Sequence, residues 1–424
     1  MTCRAHPATF LLRGHNDPGP QVSEVRIDMV RVPHLSSKLQ GFGTTIFAEM
    51  SALAAKTNAI NLGQGFPDTD GPEEVSAAAI EAIRSGVNQY PPGPGLPELR
   101  HAVAAHQMRF WSLQVDPDTE VLVTAGATEA ITAAILGLCE VGDEVLAFDP
   151  TYDSYGAAVA MAGAVLKTVA LRAPSADSAD LRFTFDPARL EAAVTAKTRL
   201  LLLNSPHNPT GKVFDRNELE LVADICRRHD LIAVTDEVYE HLVFEGQHLP
   251  LAGFPDMWER TITVSSAGKT FSFTGWKIGW AVAPAELLVP VRTAKQFLTF
   301  VNGAPFQPAV AVGLGLGDDY FKQFGTKLQH KRDLLGRMLT AAGFRVLRPQ
   351  GTYFTTADIS PLGNETSIEF CLALPERAGV VAVPSEVFYQ HRQEGRSLIR
   401  FCFAKQDELL EQAGQRLIDA LGRS

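Results

Sequence analysis

Three short stretches concentrate the residues able to do acid–base and nucleophilic chemistry. Ser265-Ser266-Ala267-Gly268-Lys269-Thr270 sets a lysine among small hydroxyl residues, just after an apolar run and just before Gly275-Trp276-Lys277-Ile278-Gly279-Trp280. A lysine held near apolar surface has its ammonium form disfavoured, which makes its amine a usable nucleophile for an imine. A solvated surface lysine is the plain alternative. The tail of this stretch resembles a nucleotide P-loop, but that motif needs glycine where Thr263 stands, so a Walker-type NTPase is disfavoured. The second stretch, Asn204-Ser205-Pro206-His207-Asn208-Pro209-Thr210-Gly211, reads as a turn leaving a strand, with two asparagines able to point amide donors into a crevice. In the third, Asp236 follows Ile232-Ala233-Val234-Thr235 and leads into Glu237-Val238-Tyr239. A carboxylate at that strand tip is partly buried and wants a cationic partner, unless it merely caps a helix.

The elements that must position these groups alternate between strand and helix from about Glu120 onward, as in a mainly parallel α/β sheet. Glu120 to Thr124 reads as a strand followed by a helix opening at Gly126. Glu144 to Phe148 is the next strand, with a helix after Tyr152. Arg199 to Asn204 is an uninterrupted apolar run, the mark of a strand covered on both faces. A helix over 216–230 and strands over 231–235, 261–265 and 278–282 complete the set. In such sheets the ligand crevice lies at the carboxyl ends of the strands, where the polar residues collect. Beyond Phe306 a long amphipathic helix (about 320–342), strands near Phe344, Val381 and Ile399 and a terminal helix from Asp407 suggest a smaller α+β domain. The expected division is a poorly ordered extension over 1–32, an arm joining the small domain over 33–66, a large domain over 67–307 and a small one over 308–424. Met29 is a candidate natural start.

Composition narrows the class. The 424 residues are 46% apolar and 20% charged, enough to bury a large core. A net charge of −10 argues against nucleic acid or an anionic membrane as the main partner. Apolar runs such as Ala130 to Cys139 stop well short of the roughly 20 residues needed to span a bilayer. Cys3, Cys139, Cys226, Cys371 and Cys402 are scattered and form no CxxC pair, so free thiols in a reducing cytoplasm are expected, without a metal cluster.

A lysine imine, a carboxylate against a ring nitrogen and donors to a phenolic oxygen are together what pyridoxal phosphate needs. The chain resembles the fold-type I (class I/II) aminotransferases, in the subgroup of succinyl-diaminopimelate and kynurenine/glutamine aminotransferases. Asn61-Leu62-Gly63-Gln64-Gly65-Phe66-Pro67-Asp68, Asn88-Gln89-Tyr90-Pro91, Gly126-Ala127-Thr128-Glu129-Ala130, the Pro206 to Gly211 turn, Asp236 to Tyr239, Ser266 to Trp280 and Arg400-Phe401 carry the resemblance. It implies a catalytic Lys269 that forms the imine and then shuttles a proton, and an Asp236 that keeps the pyridine nitrogen protonated. Asn208 and Tyr239 would hydrogen-bond the phenolic oxygen. The phosphate would rest on Gly126, Ala127 and Thr128 at a helix N-terminus, closed by Ser266 and Lys277. Lys277 stands where many relatives have arginine and so lacks the bidentate fork. Tyr152 would stack on the ring, and Tyr90 would reach in from the neighbouring subunit of a homodimer.

Arg400 is the expected grip on the substrate α-carboxylate, with Asn208 beside it and Gly65 letting the carboxylate approach the backbone. Asn204 receives no role, and Cys402 is read as packing. Family members of the kynurenine type carry a bulky pair near Asn302 and Gly303. The small and polar residues here suggest a roomier pocket, suited to a long substrate such as N-succinyl-2-amino-6-oxopimelate with glutamate as donor. A kynurenine/glutamine-type transaminase and a cysteine-conjugate β-lyase are the alternatives on the same scaffold. A transcription regulator is disfavoured, because the roughly 45 residues ahead of the first family block are too few for a DNA-binding domain.

Overall fold

The computed structural model describes residues 32–178 and 180–422, so the expected extension and Cys3 lie almost wholly outside the described residues. Its centre is a seven-stranded sheet in the order Val121–Thr124, Gly279–Val282, Thr261–Ser266, Ile232–Asp236, Thr198–Asn204, Glu144–Asp149, Val165–Ala170. Gly279–Val282 runs antiparallel to both neighbours, and the remaining pairings are parallel.

The leucine run shows why both faces are covered. Leu200 and Leu202 pack with Ala130 and Ile131 of helix Gly126–Leu138. Leu201 and Leu203 point the other way, onto Leu219 and Val222 of helix Arg216–Arg228. Each buried leucine stabilises the fold by about 1.5–3 kcal/mol, and a strand with such side chains on both faces has no solvent side to offer. Helix Arg216–Arg228 is fixed at its start by a capping box between Asp215 and Glu218. The strand Val165–Ala170 escapes the sequence reading because it is an edge, alternately exposed, with no apolar run.

A second sheet, Val383–Pro384, Leu398–Cys402, Phe354–Asp358 and Arg345–Leu347 in that order, is antiparallel. It packs with helices Asp318–Ala341, Ser367–Ala378 and Asp407–Leu421 around one core. Ile46–Thr57 joins this core through Met50 and Ala54, and Ile60–Asn61 pairs in parallel with Val380–Val381. The helix Phe306–Leu314 packs on Glu73–Arg84 and Pro97–Trp111 of the large unit, so a boundary at 307 falls inside it.

Two features put the carboxyl edge of the large sheet under constraint. A Cβ on Gly279 would lie 2.6 Å from the carbonyl carbon of Gly126 and 2.8 Å from the amide nitrogen of Ala127. Strand and helix N-terminus therefore touch backbone to backbone, and Gly279→Ala is expected to destabilise the fold by about 1–3 kcal/mol; an unchanged urea midpoint would contradict this. His106 and His207 are each 2% exposed. Burial, helped by Arg109 beside the first and Lys212 beside the second, pushes both from 6.5 down to about 3. Unfolding frees each to take a proton below pH 6.5, so stability falls as pH drops from about 6.5 toward 3. The slope contributed is up to about 1.4 kcal/mol per pH unit for each histidine. His207→Gln should remove one proton from that uptake, read from urea unfolding across the same pH range.

Candidate active site

Asp236 ends the strand Ile232–Asp236, and its carboxylate is buried. Its partners are the Tyr155 hydroxyl, which donates to Oδ2 at 2.5 Å, and the amide of Val238 at 3.4 Å from Oδ1. Burial pushes its pKa up, against the Tyr155 and Val238 hydrogen bonds and the more distant Lys269 charge. No cation touches the carboxylate among the described residues, and a protonated ring nitrogen is the partner such a group lacks. Tyr155 is a residue that sequence reasoning missed. It sits three residues past Tyr152 on the next helix, and nothing local announces a contact 81 residues away.

Asn204, left without a role above, ties the site's two turns together. Its side chain donates to the Asp236 carbonyl at 2.9 Å and the Pro206 carbonyl at 3.2 Å, and accepts from the Asn208 amide at 2.7 Å. Asn208 turns its own side-chain oxygen to Arg400 Nη1 at 3.1 Å. Its amide hydrogens are thereby free to face the cleft as donors.

Lys269 lies on the short helix Ala267–Thr270 directly after strand Thr261–Ser266. Its Nζ stands 5.6 Å from the Tyr353 ring centre and 5.9 Å from that of Tyr239. The surroundings of this amine are less apolar than the sequence pattern suggests. Burial works against the ammonium, but Tyr353, Tyr152 and Asp236 outweigh it, and the pKa is raised. Tyr353, also missed from sequence, donates its hydroxyl to the Gly65 carbonyl at 2.8 Å. Tyr239 is pushed well above its usual range by burial and by Tyr353.

Gly126, Ala127 and Thr128 open a helix at one end of the same cleft, where Ser266, Lys269 and Lys277 face them. Gly126 adopts φ +74°, and a Cβ there would lie 3.3 Å from Lys277 Nζ. Free backbone N–H groups, a hydroxyl and an ammonium form a donor set suited to a phosphate. Tyr152, at the start of helix Asp153–Ala162, lines the cleft beside Asp236. The polar groups present thus fit pyridoxal phosphate from end to end.

The cleft continues into a second pocket shared by Tyr152, Asn208, Tyr239 and Lys269 and walled by Phe47, Gly65, Phe354 and Arg400. The Arg400 guanidinium is buried, 4.0 Å from the Phe354 ring centre and 4.9 Å from that of Phe47. It donates to Asn208 and to the Gly63 carbonyl at 2.9 Å, while its Nε hydrogen has no acceptor. A buried donor left over in this way is matched by an incoming carboxylate. At Gly65 a Cβ would strike Phe354 at 2.7 Å, so glycine is what leaves the backbone open beside Arg400. Cys402 is buried in the small core, two residues past Arg400.

Two of the expected positions stand outside the cleft of their own chain. Tyr90 does not line its own chain's cleft: it is 83% exposed and stands edge-on to Phe300, ring centres 5.5 Å apart. Asn302 and Gly303 line neither pocket of the cleft in their own chain. The Asn302 amide donates to the carbonyls of Thr124 and Lys277, and a Cβ on Gly303 would strike Ile278 at 2.5 Å. Both pack against the Lys277 loop.

Comparison with known proteins matches this arrangement. The family model for aminotransferase class I and II covers residues 57–417. A probable N-succinyldiaminopimelate aminotransferase of Mycobacterium tuberculosis is 53% identical over 390 residues, 90% of this chain and 97% of that one. The solved structure of N-succinyldiaminopimelate aminotransferase from that organism superposes with a TM-score of 0.88, covering 91% of this chain and 100% of the other. A methionine aminotransferase of Escherichia coli is 40% identical over 90% of this chain and 97% of its own length. The human kynurenine–oxoglutarate transaminase 3 is 37% identical over 91% and 90%. With its cofactor-shaped cleft and its full-length relatives, this chain belongs to the class I and II aminotransferases.

Proposed function

We propose that this aminotransferase uses pyridoxal 5′-phosphate to move an amino group between glutamate and N-succinyl-2-amino-6-oxopimelate, in the lysine and diaminopimelate route. The 53% identity to the M. tuberculosis relative across nearly its whole length carries the choice of substrate. The cofactor assignment rests on Asp236, a buried carboxylate facing Lys269 without a cation in contact. Bound there, the cofactor supplies an aldehyde carbon for the amino group and a ring that accepts the electron pair released at the substrate α-carbon.

The chain's own residues do the rest. Arg400 and the Asn208 amide hold the α-carboxylate of donor and acceptor alike. Lys269 removes the α-proton and returns it one position away, being already within reach of both. Asp236 keeps a proton on the ring nitrogen, and Tyr239 and Asn208 donate to the phenolic oxygen. Gly126, Ala127, Thr128, Ser266 and Lys277 hold the phosphate, and Tyr152 covers the ring.

We also place the working form as a cytoplasmic homodimer. The exposed aromatics Tyr90, Phe297 and Phe300 support a subunit contact beside the cleft. The free, buried thiols of Cys139, Cys226, Cys371 and Cys402 support a reducing compartment. Sedimentation should give a species of twice 45.9 kDa at micromolar concentration; a monomer alone would count against the role of Tyr90.

Half-reactions followed by visible absorbance test the substrate. Glutamate and N-succinyl-diaminopimelate should react fastest, and a preference for kynurenine or glutamine would move the protein to another branch of the family. Lys269→Ala should lower turnover by about 10²–10⁴-fold. Arg400→Gln should lower kcat/KM by about 30–1000-fold for both donor and acceptor, because both present the same carboxylate. A loss confined to one of them would remove Arg400 from the shared carboxylate site.

A further inference from the structure

The turn bearing Asp236 and Tyr239 has an outward side made of Glu237, Glu240 and His241. The Glu240 carboxyl, 3% exposed, accepts from Trp111 Nε1 at 2.6 Å and from Ser265 Oγ at 2.5 Å. Glu237 Oε2 meets His248 Nε2 at 2.9 Å, and the His248 ring stands edge-on to Trp111 with centres 4.7 Å apart. His241 Nε2 lies 2.7 Å from His106 Nε2 on helix Pro97–Trp111. The ligand atoms of His106, Glu240 and His241 all fall within 4.8 Å of one another, the spacing of a metal site. A hydrogen bond already joins the imidazoles, however, and both Glu240 oxygens have donors, so Glu240 is satisfied without a cation, while His106 Nδ1 is left buried without a partner.

We propose that Glu240 is a positioning residue for the cofactor site: its carboxyl, shared between Trp111 and Ser265, fixes the Asp236–Tyr239 turn against the strand end bearing Ser266 and Lys269. Glu240 follows Tyr239 by one residue, and Ser265 precedes Ser266 by one. A single side-chain contact thus sets the spacing between the partner of the phenolic oxygen and a partner of the phosphate. Trp111 anchors that contact from the helix behind, and the Glu237 amide adds a backbone bond to the Val264 carbonyl at 2.8 Å. Such a contact acts before the reaction, by holding donors where they are needed rather than by touching the reacting atoms.

Burial pushes Glu240 up to about 7, opposed by the Ser265 hydrogen bond and by His248. The neutral acid keeps both contacts, because a serine hydroxyl can accept as well as donate while the indole N–H only donates. Glutamine reproduces that neutral form, and leucine of similar size leaves both donors buried without an acceptor.

The proposal rests on the pyridoxal-phosphate reading, so wild-type protein is titrated with the cofactor first; no binding would overturn both. Glu240→Leu should raise the cofactor dissociation constant by roughly 10–100-fold, read by tryptophan fluorescence and visible absorbance. In the same variant kcat should fall while KM for glutamate moves less than about 3-fold, since Arg400 and Asn208 are untouched. Glu240→Gln should bring cofactor affinity back to within about 3-fold of wild type, and the gentler Ser265→Ala should weaken it by about 3–10-fold. A folded Glu240→Leu protein that binds cofactor as tightly as wild type overturns the proposal, as does a Glu240→Gln protein as damaged as the leucine variant. Should the leucine variant fail to fold, unchanged affinity in Ser265→Ala overturns it instead. A stoichiometric transition metal in the purified protein would also do so, by giving the cluster a different purpose.

Discussion

A carboxylate taken out of water without a cation beside it is the constraint around which the large domain is organised. Desolvating such a group costs several kcal/mol, and a phenol and one long backbone contact recover only part of it. Asp236 can stay where it is only because its surroundings do not yield. Its backbone carbonyl is held by Asn204 across the strand pair, and its side chain is held by Tyr155 from a helix packed on the sheet. The unmet demand for a positive charge is then a binding force in waiting, specific for a ring that can be protonated.

Along the cleft the charges are sorted by element. The helix N-terminus at Gly126 and the ammonium of Lys277 make one end positive, and Arg400 makes the other so, with Asp236 between them. The two ends belong to different units. Lys277 sits in the large sheet's loop, while Arg400 pairs with Thr356 in the small sheet. The contact between Arg400 and Asn208 joins them, so the guanidinium at one end and the amide donors in the middle of the cleft are set by the same pair of side chains.

Residues whose role is written in a local pattern were legible: the Arg199 to Asn204 run, Lys269 after its strand, Asp236 at its tip. Those whose partners are distant in sequence were not. Tyr155 reaches Asp236 over 81 positions and Tyr353 reaches Gly65 over 288, and no spacing rule announces either. The polar neighbours of Lys269 are hidden for the same reason. Burial was foreseeable, but the three neighbours that outweigh it arrive from separate elements. The helix Phe306–Leu314 straddles the expected boundary at 307 because its packing partners, Glu73–Arg84 and Pro97–Trp111, lie far back in the sequence.

The division between inner and outer faces of the Asp236–His241 segment bears on how one scaffold serves several substrates. Asp236 and Tyr239 line the cleft, while Glu237, Glu240 and His241 face the helix and strand behind. The chemistry is thereby fixed by the large sheet and a network buried beneath it. The walls that a substrate side chain would meet come from elsewhere: Phe47, Gln64 and Phe66 from the N-terminal segment and Phe354 from the small domain. Phe47, Gln64 and Phe66 share no hydrogen bond with the Asp236 turn, whereas Phe354 stands edge-on to Tyr239, ring centres 6.2 Å apart. Relatives named for methionine, kynurenine and N-succinyldiaminopimelate are compatible with one fold whose pocket rim and buried turn are built largely from separate residues.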